Sequence, residues 1–279
     1  MIVDAHTHIF PKFICDRRSD YFDGEAAFKL LYENPKSRMA DAEMLIESMD
    51  QSGVDVSVVF GFPWKNTDTC RKHNDYILNA VSKYPHRLKG LCCVDMYDKR
   101  SPAEIERCLD AGLSGAGEIA FYQSGIGEGA LELLKPVMAL CRFKDAPVLI
   151  HTNEPIGHYY PGKTPVTLAQ IYSVAEAFPE NKIIFAHWGG GVFFYFLLKK
   201  EVRQTMRNVF FDTAASPFLY DPKIYRAAIE TAGAEKILLG TDFPLIKPDR
   251  YYKEMELAGL TEDERNQICG GNAVNLYKL

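Results

Sequence analysis

No apolar stretch of the 279-residue chain approaches the ~20 residues needed to cross a bilayer. Cysteine is sparse and unpatterned. The seven residues, Cys15, Cys70, Cys92, Cys93, Cys108, Cys141 and Cys269, include no C-x-x-C pair, which argues against a disulfide framework or a thiolate zinc knot. Basic runs are missing too. The 32 Lys plus Arg stand against 37 Asp plus Glu, a net charge of −5, leaving no footprint for nucleic acid or an anionic membrane. The opening Met1-Ile2-Val3-Asp4-Ala5-His6 lacks a basic segment followed by a long apolar one, so a cytoplasmic location is the expectation. No Gly-x-Gly-x-x-Gly turn follows the first apolar run, which weighs against a doubly wound nucleotide-binding sheet.

What is present is a regular alternation. Short apolar or β-branched runs occur at 2–4, 54–60, 88–94, 115–119, 147–150, 182–186, 209–211 and 237–239. Helical periods lie between them, at 41–52, 129–143, 167–178, 193–206 and 222–231, with a further helix start at Ser101-Pro102-Ala103-Glu104. Asp41 and Ser101 stand where N-caps belong, and Gly53 where a helix stops. Parallel strands need such crossovers, and eight of them predict a single-domain (β/α)8 barrel over 1–279, a fold of ~250 residues. The surplus falls in one long insertion after the first strand, residues 9–40, expected to cover the barrel mouth.

Chemistry-bearing residues cluster at the ends of the apolar runs. His6 and His8 flank Thr7, and on a strand residues i and i+2 share a face. Glu118 ends the fourth run, His151 the fifth and His187 the sixth, while Asp242 follows the eighth. In a barrel these positions fall on the C-terminal rim, where the active sites of the fold lie. Four of only seven histidines occupy strand ends. Histidine mixed with carboxylate suits an open, water-bearing site for a divalent ion better than a closed structural one. Further out, 154–163 reads as a substrate loop that includes His158, Tyr160 and Lys163, and Trp188-Gly189-Gly190-Gly191 as either an anion-receiving turn or a tight connection. Arg17 and Arg18 suit a solvated pair better than a carboxylate clamp, and His73 and His86 read as surface residues.

Val3-Asp4-Ala5-His6-Thr7-His8, His151-Thr152, Ala186-His187-Trp188-Gly189-Gly190-Gly191 and Gly240-Thr241-Asp242-Phe243-Pro244 together resemble the amidohydrolase superfamily. Its amidohydrolase-2 branch, with the aminocarboxymuconate-semialdehyde decarboxylase-like proteins, is the most similar, and the resemblance runs to Gly271-Asn272-Ala273. It implies one or two divalent ions, most often zinc, held by His6, His8, His151 and Asp242, with His187 as a neighbouring acid/base. Glu118 would match the strand-four glutamate that bridges two metals in some hydrolytic branches. On these grounds the leading expectation is a hydrolase opening a C–N or C–O bond of a small carbonyl compound with metal-activated water, with Asp242 carrying the proton. The alternative is a metal-dependent non-oxidative decarboxylase of an unsaturated or aromatic acid. The partner is a small-molecule substrate; homo-oligomer formation stays open.

Overall fold

The computed structural model describes residues Met1–Leu279. Eight strands, β1 (Val3–His8), β2 (Val56–Phe60), β3 (Leu88–Cys92), β4 (Gly115–Ile119), β5 (Val148–Ile150), β6 (Ile183–Phe185), β7 (Val209–Asp212) and β8 (Ile237–Leu238), form one parallel sheet in sequential order. The sheet closes on itself: Ala5 N donates to Leu239 O at 2.7 Å, Asp242 N to His6 O at 2.9 Å and His8 N to Phe243 O at 2.8 Å. The architecture is therefore the (β/α)8 barrel that the alternation predicts. All seven cysteines are free, and no helix is long and apolar enough to cross a membrane.

The barrel interior is filled by Val3, Ala5, Val58, Leu91, Leu149, Ile184 and Leu238. A larger apolar layer, including Val59, Cys92, Ile150, Phe185, Phe211 and Leu239, joins the strands to the surrounding helices. Between Asp4 and Thr7 the pairing of β1 with β2 shifts register. That bulge changes the phase of the strand. Ala5 joins the interior cluster, His8 lines the mouth and the buried His6 ring lies beside Glu118 and Asp242 beneath it, whereas Asp4 turns outwards. There its carboxylate accepts from Thr241 N (3.0 Å) and Thr241 Oγ1 (2.6 Å), and Tyr251 of the helix Pro248–Leu257 donates to Thr241 O (2.8 Å). Strict alternation would have placed Asp4 beside His6.

Helix boundaries follow local chemistry. Asp41 accepts from Met44 N at 2.9 Å to start Ala42–Ser52, and Gly53 ends it at φ 69°. Thr167 and Gln170 form a reciprocal cap on Leu168–Ala177. Two expectations need correction. Ser101 lies inside Ser101–Asp110 instead of capping it, its hydroxyl donating to Asp95 O. The continuous helix expected over 193–206 is instead a kinked run of tight turns, His187–Leu197, followed by a short helix, Lys200–Thr205. Trp188, Gly189, Gly190 and Gly191 all adopt positive φ, which no right-handed helix accommodates.

The 9–40 insertion contributes Lys12–Asp16, a 3₁₀ turn at Arg18–Tyr21 and Ala26–Tyr32. Phe28 is fully buried against Trp64 and Phe62, with ring centroids 4.3 and 5.3 Å away. Glu25 accepts from Asn66 N (2.8 Å) and Lys65 N (3.1 Å), fixing the insertion to the segment after β2. It lies over the C-terminal mouth, as expected.

Candidate metal centre and substrate cavity

A cavity of about 600 Å³ opens at the C-terminal end of the barrel, with His8, Glu118, His151, His187 and Asp242 in its lining. Glu118, from β4, stands at its centre. One carboxylate oxygen lies 2.9 Å from His151 Nδ1, 3.8 Å from His187 Nε2 and 3.9 Å from His6 Nε2; the other lies 3.8 Å from His8 Nε2. Asp242 Oδ1 lies 3.5 Å from His8 Nε2 and 3.7 Å from His6 Nε2.

Three of the rings are oriented from behind. His6 Nδ1 bonds Asp212 Oδ2 at 2.8 Å, His8 Nδ1 the carbonyl of Gly61 at 3.1 Å and His187 Nδ1 the carbonyl of Ala214 at 2.9 Å. Each acceptor holds a proton on Nδ1 and presents a bare Nε2 to the cavity, the arrangement expected of metal-binding imidazoles. His6 Nε2 is buried and has no hydrogen-bond partner. Such an orphaned acceptor is costly unless a cation fills the gap.

The donor spacings agree with that. An ion with bonds of about 2.1 Å in tetrahedral geometry spaces its donors about 3.4 Å apart. The separations of 3.5–3.9 Å from His6 Nε2 and His8 Nε2 to the oxygens of Asp242 and Glu118 lie near this. These four residues fit a divalent ion. His151 is arranged differently: Nδ1 meets Glu118 and Nε2 meets Gly162 O at 3.0 Å, so both nitrogens are engaged. It belongs to the cluster, and with Glu118 and His187 it forms a second grouping of donors close enough to hold an ion, as the resemblance implied.

The electrostatics reflect crowded carboxylates. When no ion is bound, burial opposes charge on His6, but Asp212 and Glu118 outweigh it and push its pKa up to about 10, so that a proton takes the place on Nε2 that a cation would fill. Burial likewise opposes protonation of His151, and Glu118 reverses the sign and raises its pKa. Burial would lift Glu118, but His151 and His6 hold it well below the usual carboxylate range. His187 is lowered, by burial first and then by His151. The cavity floor is a place where positive charge is held.

Around this floor, Phe62 and Tyr122 stack at 6.1 Å with an interplanar angle of 15°, and Tyr122 lies 5.6 Å from His151. His158 and Tyr160 line the cavity as expected, and the insertion supplies Leu30, Leu31, Tyr32, Asn34, Ser37 and Arg38. Lys163 does not reach it. Its ammonium pairs with Glu154 at 2.7 Å and donates to Ile156 O at 2.7 Å, folding the 154–163 loop on itself. Trp188 also needs correction: it is fully buried, donating from Nε1 to Ser216 Oγ at 2.9 Å, in a glycine-rich turn behind the wall. A side chain on Gly190 would collide with Asn153 O, so glycine there serves close backbone approach. His187 and Asp242 themselves sit at φ 54° and 59°, a strained backbone region common at functional sites.

Sequence reasoning missed three residues. Asp212, the acid closing Phe210-Phe211-Asp212, orients His6 and accepts from His187 N at 2.9 Å. Arg38 reaches the cavity where Arg17 and Arg18 do not; Arg18 donates instead to Ser37 O at 2.7 Å. His73, read as surface, is 1% exposed and lies under the site, with Nε2 donating to Ile9 O at 2.7 Å and Nδ1 accepting from Trp64 at 2.9 Å.

Fold and site together define a (β/α)8 barrel built around a divalent-metal donor set. The chain belongs to the amidohydrolase family, whose model, described as Amidohydrolase, matches residues 3–279. Among curated relatives, the gamma-resorcylate decarboxylase of Polaromonas sp. (strain JS666 / ATCC BAA-500) is 24% identical over 88% of this chain and 90% of its own. The 2-amino-3-carboxymuconate-6-semialdehyde decarboxylase of Dictyostelium discoideum is 24% identical over 99% of this chain and 91% of its own. A solved structure of a dihydroxybenzoic acid decarboxylase from Polaromonas sp. JS666, with bound manganese and the inhibitor 2-nitroresorcinol, superposes with a TM-score of 0.72 at 20% identity, covering 100% of this chain and 97% of that one. These relatives overturn the leading expectation of C–N or C–O hydrolysis, because the named relatives all break a C–C bond instead. Residue types alone gave no means of separating the two reactions, since both draw on one donor set.

Proposed function

We propose that the chain is a metal-dependent, non-oxidative decarboxylase of an aromatic or otherwise unsaturated carboxylic acid. The observation that carries this reading is that two relatives, matched over 88% and 99% of this chain, share the loss of CO2 as their reaction. The wall formed by Phe62 and Tyr122 supports it, because stacked rings accept a flat, conjugated substrate.

In the reaction the bond between the carboxylate carbon and its neighbour breaks, CO2 leaves, and the electron pair left on carbon takes up one proton. Conjugation spreads that pair, which is why an unsaturated acid is required. When bound, the divalent ion supplies the positive charge that holds the substrate carboxylate and a neighbouring oxygen. His6, His8, Glu118 and Asp242 are the residues that would hold it, and zinc and manganese both suit their nitrogen and oxygen donors. We assign one ion, because both nitrogens of His151 are committed elsewhere.

The proton is handled by two groups on the cavity wall. His187 carries its own proton on Nδ1, given to Ala214 O, and burial disfavours a second one. Its Nε2 therefore stays a bare acceptor that can receive a hydrogen bond from the substrate. The Asp242 carboxyl, also in the lining, takes up one proton from water and delivers it to the vacated carbon, so each turnover consumes one proton and releases one CO2. Stacking against Tyr122 orients the ring, and the insertion excludes bulk water.

Incubation of the metal-loaded protein with 2,6-dihydroxybenzoate, other hydroxybenzoates and muconate-type acids in D2O tests the reading. We expect released CO2 and one deuterium at the vacated carbon. Oxygen from 18O-labelled water appearing in a product carboxylate, with no CO2, would sink it.

A further inference from the structure

The cavity joins a polar floor to an apolar rim. At the floor His8, Glu118, His151, His187 and Asp242 meet. Nearer the solvent, three separate elements turn hydrocarbon to the same space. They are Leu30 and Leu31 of the insertion helix Ala26–Tyr32, Phe218 and Leu219 of Ser216–Leu219 after β7, and Pro244 and Leu245 after β8. Leu30, Phe218 and Leu245 are 46%, 56% and 44% exposed. Single exposed apolar side chains are ordinary on a protein surface; three from distant stretches of chain lining one cavity are not.

The rim is held in place before anything binds. Phe28 anchors the insertion helix in the core, Arg250 lies over the Phe218 ring at 5.1 Å and donates to Pro217 O at 3.0 Å, and Leu245 N donates to Asp242 O at 2.8 Å. Rim and floor are also continuous. A side chain on Gly162 would stand 3.3 Å from Leu31 Cδ2, and Gly162 O is the partner of His151 Nε2 at 3.0 Å. Apolar surface left wet by folding is a source of binding energy when hydrocarbon covers it, and a fixed backbone spares the cost of ordering it.

Size points the same way. A void of about 150 Å³ accepts a benzene ring, whereas this cavity measures about 600 Å³. A single-ring acid with its carboxylate at the floor leaves the rim uncovered.

We propose that the preferred substrates carry a hydrocarbon substituent on the ring, remote from the departing carboxylate, which packs against Leu30, Phe218 and Leu245. This rests on the decarboxylase reading only for the identity of the departing group; the apolar seat itself is a binding property.

The test is therefore binding without turnover. Manganese-loaded protein is titrated calorimetrically with benzoate and its 4-methyl, 4-propyl and 4-pentyl derivatives, whose chains point away from the carboxylate. Complete burial of a methylene tightens binding roughly four-fold, so the four methylenes from 4-methyl to 4-pentyl, partly buried at an open rim, raise affinity about ten-fold or more. In the double variant Phe218→Ser with Leu245→Ser the rise falls to about two-fold, while benzoate binds as in wild type. Leu30→Ser, on a different element, lowers the rise by itself, which keeps the test intact if the double variant fails to fold. A flat series in wild type, a rise that survives in folded variants, or equal loss of all four affinities overturns the proposal. Absence of CO2 release from every acid overturns the decarboxylase reading and leaves the chain-length series untouched, so the two failures are distinguishable.

Discussion

His6 and Asp212 form a buried pair, Nδ1 to Oδ2 at 2.8 Å, and the other oxygen of the same carboxylate accepts the backbone N–H groups of His187 at 2.9 Å and Ala214 at 3.0 Å. One acid at the end of β7 thus sets the orientation of an imidazole from β1 and the entry into the turn after β6. A carboxylate behind a metal-binding imidazole fixes its tautomer and raises its basicity. Asp212→Asn is expected to weaken manganese binding by about 10–100-fold, measured by competition against a metal chelator. Affinity unchanged within two-fold would reduce Asp212 to a structural cap.

Glu118 supplies the second expectation. It is the donor shared by two groupings, His6 with His8 and His151 with His187. With both His151 nitrogens engaged, elemental analysis of protein purified without chelator should return about one ion per chain, and Glu118→Gln should lower retention. Two equivalents in wild type, falling to one in Glu118→Gln, would show that the carboxylate bridges two ions at the ~3.5–4 Å spacing of binuclear sites.

These residues were legible because a parallel barrel brings the ends of all its strands to one rim. His6, His8, Glu118, His187 and Asp242 needed only correct strand boundaries. The phase of β1 did not follow from the sequence, because a bulge between Asp4 and Thr7 replaces strict alternation and sends Asp4 outwards. Arg38 was hidden for a different reason: its place depends on how 9–40 folds back through Phe28 and Glu25, contacts far apart in sequence. His73 was misread from its polar neighbours Lys72 and Asn74. The helical period did contain the answer, since Cys70, His73, Asn74 and Ile77 form the buried face of Thr67–Lys83. Trp188 failed at the backbone level, because positive φ from Trp188 to Gly191 sends the indole into the core.

His73 should leave a signature in stability. Burial lowers its pKa from 6.5 to about 4. The unfolded chain therefore binds the proton more readily, and stability contributed by neutral His73 is complete above pH 6.5 and lost as pH falls towards 4. Across that window the loss is on the order of 3 kcal/mol. Urea unfolding of wild type and His73→Gln at several pH values between 4 and 7.5 isolates the effect, because the other titrating groups are common to both. The variant should be less stable at pH 7.5, and the gap should narrow as pH falls. A gap that stays constant with pH would show that His73 does not titrate in this range.

Asp242 is placed both to hold an ion and to carry a proton, and one substitution separates the roles. Asp242→Asn keeps an oxygen where Oδ1 faces His6 and His8 at 3.7 and 3.5 Å, so a donor remains while the acid is removed. The main chain supports the swap: Asn tolerates the left-handed backbone found here at φ 59°, and Asp242 N still donates to His6 O. Metal content should therefore fall only modestly at saturating manganese. Turnover should fall much further, by about 10²–10⁴-fold, the usual contribution of a positioned proton donor. Losses of metal and activity in equal proportion would mean that Asp242 acts through the ion alone. The proton on carbon would then have to come from His187, and His187→Asn at full metal occupancy would show the larger loss.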